Sequence, residues 1–529
     1  MGAFDPLALA AARLGTALIG RLQPARASLY SFDLWLEPWL RRRQAMRGRV
    51  PEVPAGTTRD LLFCFVDHFE PGTKGAELDR ARERFAAWMD LYPPLAGQFT
   101  DAEGRHPQHG FFFPPHYFRE EYMLGLAGMD WQGFGETELH LHHDGDTSAT
   151  LRALLEETLE RYAEYGVFQC QGEPVKRAYG FIHGNWALDN SRPEFCGVND
   201  ELTILRETGC YGDFTFPSLY VAQPRRVNAL YRAIDDPAAP KSYDDGPLMA
   251  AGRAPAPDSF AMFTGPIGLR PRGRFPFFAV EDADVTGEGP GTPGRIRRWV
   301  DTGIHVQGRP EWIFVKVHTH GAPERHRDAL LGAGAARMFE TLCRDYGDGT
   351  RWRLHFVNAR EMYNIARAAE DGHAGDAGRY RDYEIPPYLT RELRSNRRYR
   401  ATRFTAPSAP DGLPTLALRV LDPGPGGSLE FRQGALLRLD GPLAELSLAP
   451  AEDAGWTFLL AGEGELTLTL AGNLQPEGPG AGAWTDAGPA GDRGGHRWRV
   501  KLAPSAPLTV TLRDHAPRRG STGMNEDVR

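Results

Sequence analysis

The sequence predicts an α/β domain followed by an antiparallel β-sandwich. Three observations carry this. At 529 residues the chain is too long for one compact core, so two or three domains are expected. From about residue 58 to 370, apolar runs of strand length alternate with helical segments, the pattern of a parallel sheet or barrel. After Pro386 the runs become short and alternate with a period of two between Gly/Pro turns, as in a sandwich.

The elements follow in order. Residues 1–56 read as an N-terminal helical arm closed by "VPEVPAGTT". Its stretch Leu7–Gly20 is apolar, but Asp5 precedes it and Arg13 interrupts it. It lacks the positive n-region of a signal peptide and is shorter than the ~20 apolar residues of a spanning helix. It reads as a packed helix. A membrane-surface helix is the alternative, supported by the aromatics that follow and by Arg41, Arg42 and Arg43. "DLLFCFVDHF" (Asp60–Phe69), "HGFFFPP" (His109–Pro115), "ETELHLHH" (Glu136–His143), "RAYGFIHGNW" (Arg177–Trp186), "WIFVKVHTHG" (Trp312–Gly321) and "RWRLHFVN" (Arg351–Asn358) read as strands. Between them lie helical segments. One carries Leu151, Leu154, Leu155 and Leu159 at helical spacing, with Ser148 as N-cap and Gly166 as stop. The α/β domain is expected over 57–372 and a linker over 373–404, whose basic run Arg391–Arg403 reads as a solvated strap, or else as a binder of an acidic ligand. The sandwich is expected over 405–515 and a disordered tail over 516–529.

Composition narrows the function classes. A formal net charge of −8 argues against nucleic-acid binding, which needs a basic face. Cys64, Cys170, Cys196, Cys210 and Cys343 form no CxxC pair and no disulfide framework. That favours a reducing, cytoplasmic compartment, membrane-peripheral if the arm is a surface anchor, and it excludes a cysteine-rich structural zinc site.

The chemistry concentrates where strands end. In parallel α/β architectures the loops at the carboxyl ends of the strands build the site. The first strand ends in Asp67 and His68, the third in His140, His142, His143 and Asp144, and a late one in His318 and His320. On a strand, residues i and i+2 share a face, so His140 pairs with His142 and His318 with His320. Imidazoles and carboxylates without thiolates suit Zn²⁺ or a neighbouring divalent metal in an open site.

These motifs resemble the polysaccharide deacetylase superfamily, the NodB-homology fold of carbohydrate esterase family four, over roughly residues 58–370. "FVDHFEP" is similar to that family's Phe-Asp-Asp strand end, which implies Asp67 as general base and His68 as a metal ligand. "GFFFPP" is similar to its second strand. Glu136 stands four residues before His140, as a Glu does before the family's ligand His, and "FVKVHTHG" implies His318 as general acid. The resemblance implies a distorted (β/α) barrel of NodB type. It leaves His142, His143 and Asp144 as candidates for the third ligand, with His142 favoured because it shares a face with His140. The pattern also departs from the family. Near the expected Arg-x-Pro motif, "GCYGDFTFPS" keeps Pro217 without an Arg, although Arg206 is nearby, and "VEDADV" (Val280–Val285) is a weak substitute for Asp-x-x-Asp-Trp. Exchange of Asp for His68 also frees Asp67 to be a ligand.

The expected activity is removal of an N- or O-acetyl group from a sugar in surface-polysaccharide synthesis. Asp67 would take a proton from water, His318 would protonate the leaving group, and a backbone N–H near Tyr211 would help hold the oxyanion. "FIHGNWALDN" offers His183, Asn185, Trp186 and Asp189, with Trp186 able to stack on a sugar or simply fill the core. His109 and His116 are candidate rim residues, and Glu70 a candidate orienting carboxylate for His68 or a solvated loop residue. The partner expected is a carbohydrate. Two alternatives remain: a glycosidase on a related barrel, which needs two flanking carboxylates, and a non-catalytic glycan binder.

Overall fold

The computed structural model describes residues 31–514 except 47–49, 272–277, 406–414, 433–436, 452–454, 472–473, 478–482, 491–494 and 505–506. The apolar stretch Leu7–Gly20 and the tail over 516–529 lie outside the described residues. The chain divides into two compact units, Met1–Tyr162 with Arg177–Pro387, and Ala163–Lys176 with Tyr388–Arg529.

Among the described residues, the first unit opens with helix α1 (Phe32–Ala45). Trp35 and Leu36 are buried in a small apolar cluster with Val227 and Ile267. Arg42 Nη2 donates to the carbonyl of Gly303 at 3.0 Å. The arginines that suggested an anchor therefore include one that clasps this unit.

Its sheet is built from β1 (Arg59–His68), β2 (His109–Phe113), β3 (Gly135–Leu141), β4 (Tyr179–His183), β5 (Cys210–Asp213), β6 (Leu230–Ile234), β7 (Ser259–Phe263), β8 (Trp312–Thr319) and β9 (Trp352–Val357). The strand order is β8-β1-β2-β3-β4-β5-β7-β6, with β9 pairing the first half of β1. All pairs are parallel except β6 with β7. Every residue of β1 after Arg59 is buried, which explains its unbroken apolar run: a central parallel strand is covered on both faces. Helices α2 (Leu78–Ala96), α3 (Glu120–Gln132), α4 (Ser148–Ala163), α5 (Glu201–Glu207), α6 (Pro293–Asp301), α7 (Ala333–Tyr346) and α8 (Ala359–Glu370) connect the strands. Gly133 shows how tightly they do so. It closes α3 at φ 82°, a left-handed C-cap that delivers the chain into β3 within two residues. No described helix is long and apolar enough to cross a membrane.

Because β8, β1, β2, β3 and β4 are parallel neighbours, their carboxyl ends open on the same side of the sheet. The deeper layers are ionic. His355 on β9 is buried, with Nε2 2.8 Å from Asp60 Oδ1. Burial alone would lower its pKa, but the contacts with Asp60 and Glu103 outweigh this and raise it above 6.5. A raised folded pKa stabilises most when the group is charged in both states. The advantage of wild type over His355→Gln should therefore be complete below about pH 6.5 and shrink as pH rises through the higher folded value. Urea unfolding across that window checks it.

The second unit is sandwich-like: its described residues form two six-stranded antiparallel sheets. One contains β10 (Leu393–Ser395), β13 (Ser428–Phe431), β14 (Leu437–Asp440), β17 (Gly464–Ala471), β20 (Gly495–Leu502) and β19 (Thr485–Pro489). The other contains β11 (Tyr399–Thr405), β12 (Thr415–Val420), β15 (Leu443–Ala451), β16 (Gly455–Gly462), β21 (Leu508–Asp514) and β18 (Leu474–Glu477). Leu416, Leu418 and Val420 alternate inward along β12, and with Phe458, Leu468 and Val500 they belong to one apolar core.

The expected linker over 373–404 is corrected here. Residues 373–387 belong to the first unit, and the basic run supplies β10 and β11 of the second. Three of its six arginines pair within that unit: Arg398 bonds Glu164 at 3.0 Å, Arg400 lies 3.5 Å from Glu164, and Arg403 3.3 Å from Glu173.

Candidate metal centre

Three side chains converge at the carboxyl ends of β1 and β3. His142 Nε2 lies 3.1 Å from His140 Nε2 and 3.0 Å from Glu70 Oε1, and the Glu70 oxygen is 3.9 Å from His140 Nε2. A tetrahedral cation with bonds of about 2.0–2.2 Å holds its ligand atoms roughly 3.3–3.6 Å apart, so one ion fits among the three. Hydrogen bonding favours the same arrangement. His140 Nδ1 donates to the carbonyl of Ile182 at 2.9 Å, which leaves the Nε2 lone pair of the neutral ring aimed at the cluster. Burial pushes the His140 pKa down to about 3. Burial would raise that of Glu70, but the hydrogen bond with His142 and the nearby His140 outweigh it and bring it to about 2. A neutral His140 imidazole beside an ionised Glu70 carboxylate is the state a divalent cation requires. These residues can hold a metal, and nothing in their geometry identifies zinc over its neighbours.

Two more imidazoles frame the cluster. The His68 ring lies 4.8 Å from that of His140 and stacks at 4.5 Å on that of His320. Trp186 packs 6.0 Å from His68, 5.8 Å from His320 and 5.0 Å from Tyr220, which is 42% exposed. The exposed His116 ring is 5.4 Å from His142 and forms the rim. Access runs past His142, whose side chain is 31% exposed. A wide cleft lined by Trp39, Arg42, Arg43, Arg297 and Arg298 shares no residue with this site.

The structure thus brings His140 and His142 together, with His68 alongside, and adds Glu70 and His320. Other expected residues lie elsewhere. Asp67 is fully buried, and alternation puts it on the opposite face of β1 from His68. Its Oδ2 lies 2.9 Å from His109 Nε2, and its Oδ1 accepts the Gly321 N–H at 2.7 Å. Oδ1 thus fixes the turn that follows His320, while Oδ2 ties β1 to His109 on β2. His109 is packed on Trp88 at 4.3 Å and is no rim residue. His318 shares its face with His320 but sits one strand step deeper and is buried. The Tyr211 hydroxyl donates to Glu138 Oε1 at 2.5 Å, beneath the site, and Lys316 donates to the carbonyls of Phe214 and Phe216, in the segment that keeps Pro217 without an Arg. Asp144 is exposed, and His143 and His183 turn into a separate cluster. Asp189 is fully buried, its Oδ2 accepting the Ser242 N–H at 2.6 Å. Glu136 pairs with Arg360. Glu70, expected to orient His68 or to be solvated, and His320, expected beside His318, both lie just past their strand ends and join this cluster.

Gly184, in the turn after β4, leaves room for the His142 ring: a Cβ there would meet its Cγ at 2.4 Å. Gly184→Ala should displace His142 and weaken metal affinity by roughly 10–100-fold, as losing support for a ligand does. Isothermal titration with Zn²⁺ checks this.

Comparison with protein-family models, curated proteins and solved structures found no match.

Proposed function

We propose that the chain is a metal-dependent hydrolase that removes acetyl groups from a sugar, on a NodB-like barrel of which the parallel sheet is part. The carrying observation is the convergence of His140 Nε2, His142 Nε2 and Glu70 Oε1 at the carboxyl ends of parallel strands. A divalent cation bound there would supply Lewis acidity and a water of lowered pKa. The chain's own residues do the rest. His140, His142 and Glu70 hold the ion, and the Ile182 carbonyl keeps His140 in its ligating tautomer. His320 is only partly exposed, and burial lowers its pKa, so it is the neutral base that moves a proton; this replaces the expected pair Asp67 and His318. Asp67 holds the turn after β8 in place through the Gly321 N–H.

The sugar is argued from the rim and from the sequence resemblance. Trp186 and Tyr220 present aromatic surface beside the cluster, suited to a pyranose face. A glycosidase needs two carboxylates flanking the bond, and this cluster offers only Glu70, with Asp67 buried on the other face. The test is acetate release from N-acetylglucosamine oligomers and O-acetylated sugars. We expect release that chelation stops and Zn²⁺ restores, and that His320→Gln loses while keeping its metal. Metal-loaded protein that releases no acetate from either class would remove the deacetylase reading.

A further inference from the structure

A second cluster lies behind the first. His143 stands two residues past β3, His183 ends β4, Cys196 stands in the loop beyond it and Glu201 begins α5. All four residues are buried, and one ligand atom from each lies within 4.8 Å of the others. Glu201 Oε1 is 3.2 Å from His143 Nε2 and 3.5 Å from His183 Nε2, and Glu201 Oε2 is 3.5 Å from Cys196 Sγ.

His183 shows that hydrogen bonding alone leaves this arrangement incomplete. Its Nδ1 faces the carbonyl of Gly184 at 2.6 Å and must donate there. The fully buried Nε2 of the neutral ring then carries a lone pair, makes no hydrogen bond and faces a carboxylate. Two acceptors turned toward each other in a buried site are unfavourable, and a cation between them removes the repulsion. His143 shows the complementary feature: Asp146 Oδ2 holds its Nδ1 at 3.0 Å, the carboxylate–histidine support typical of a metal-ligating ring.

We propose that His143, His183, Cys196 and Glu201 form a closed structural metal site that takes Zn²⁺. Two imidazoles, one thiolate and one carboxylate complete a tetrahedral shell with no position left for water, and the thiolate selects zinc over magnesium or calcium. Binding replaces the Cys196 S–H bond with a sulfur–metal bond, and the proton leaves to solvent. The cysteine spacing excludes a cysteine-rich structural zinc site and leaves this one open, since here one thiol stands beside two histidines and a carboxylate.

The site would fasten one wall of the open centre. The segment between His183 and Glu201 carries Gly184 and Trp186. Gly197, at φ 106°, brings the loop so close to the Asp146 carbonyl that a Cβ would stand 2.8 Å from it, and the Asp146 N–H donates to the Cys196 carbonyl at 3.2 Å. This inference does not depend on what the open centre does.

The test uses the full chain with the open centre disabled by His140→Ala and His142→Ala. That protein should retain a tightly held zinc ion. Loaded with Co²⁺, it should show a thiolate-to-cobalt charge-transfer band that Cys196→Ser abolishes. Zinc X-ray absorption on the same protein keeps Cys196 and should show one sulfur among nitrogen and oxygen neighbours. A folded protein, judged by circular dichroism, that binds neither ion, or a zinc shell without sulfur, overturns the site.

Discussion

His140→Ala should empty the open centre and cut turnover by at least about 10³-fold, equivalent to about 4 kcal/mol of lost transition-state stabilisation. The ring is buried at the end of β3 and its Nδ1 is already committed to the Ile182 carbonyl, so Nε2 points in a single direction. Removing it leaves His142 and Glu70, and His142 is the more exposed of the two imidazoles. Two donors do not hold a zinc ion against water as three do. The fold should lose far less, because the change deletes one buried hydrogen bond worth about 1 kcal/mol and opens a modest cavity. Metal analysis, acetate release and thermal unfolding on one preparation separate these effects. Metal content equal to wild type in His140→Ala would disprove the proposed ligand set. Asp67→Asn supplies a contrast: it weakens the support of the Gly321 turn without touching a ligand atom, so metal should be kept while turnover falls.

What could be read in advance follows from the range of the interactions. The unbroken apolar run of β1 reports burial on both faces, and the alternation Leu416, Leu418, Val420 reports burial on one; both are properties of a few adjacent residues. His140 and His142 were placed together by the same period of two. Glu70 and His320 lie just past their strand ends, where that period no longer fixes direction, so only the folded turns reveal that they join the cluster. Long-range partners were invisible. Asp67 looks catalytic until Gly321, 254 residues on, is seen to occupy its Oδ1. The run from Arg391 to Arg403 looks like a solvated strap until Glu164 and Glu173, 234 and 230 residues away from Arg398 and Arg403, are paired with it. His143 reads as a spare ligand beside His142, yet it turns toward Glu201, 58 residues later.

The largest stability effect should come from Arg360→Met. Arg360 is fully buried on α8, a helix in which every residue from Ala359 to Glu370 is buried. Its Nε lies 3.1 and 3.2 Å from the two oxygens of Glu136, and its Nη1 donates to Asp382 Oδ1 at 2.8 Å and to the Ile385 carbonyl at 2.9 Å. Taking the guanidinium away strips a buried Glu136 of its cation, and breaking a buried pair from one side costs about 3–5 kcal/mol. The carbonyls are less exposed to the loss, since Asn364 Nδ2 also donates to Arg381 O at 2.6 Å and Ile385 O at 2.8 Å. Adding Glu136→Leu to Arg360→Met removes the stranded charge and should recover much of the stability, giving a clear coupling energy in a double-mutant cycle followed by urea unfolding. The cycle also decides what Glu136 is for. Its place four residues before His140 resembles a family motif, but its partner makes it an ion-pair anchor two strand steps below the candidate metal centre. A Glu136→Gln protein that unfolds more easily but keeps its metal and turnover fits the anchor. Loss of turnover at unchanged stability would return Glu136 to the chemistry.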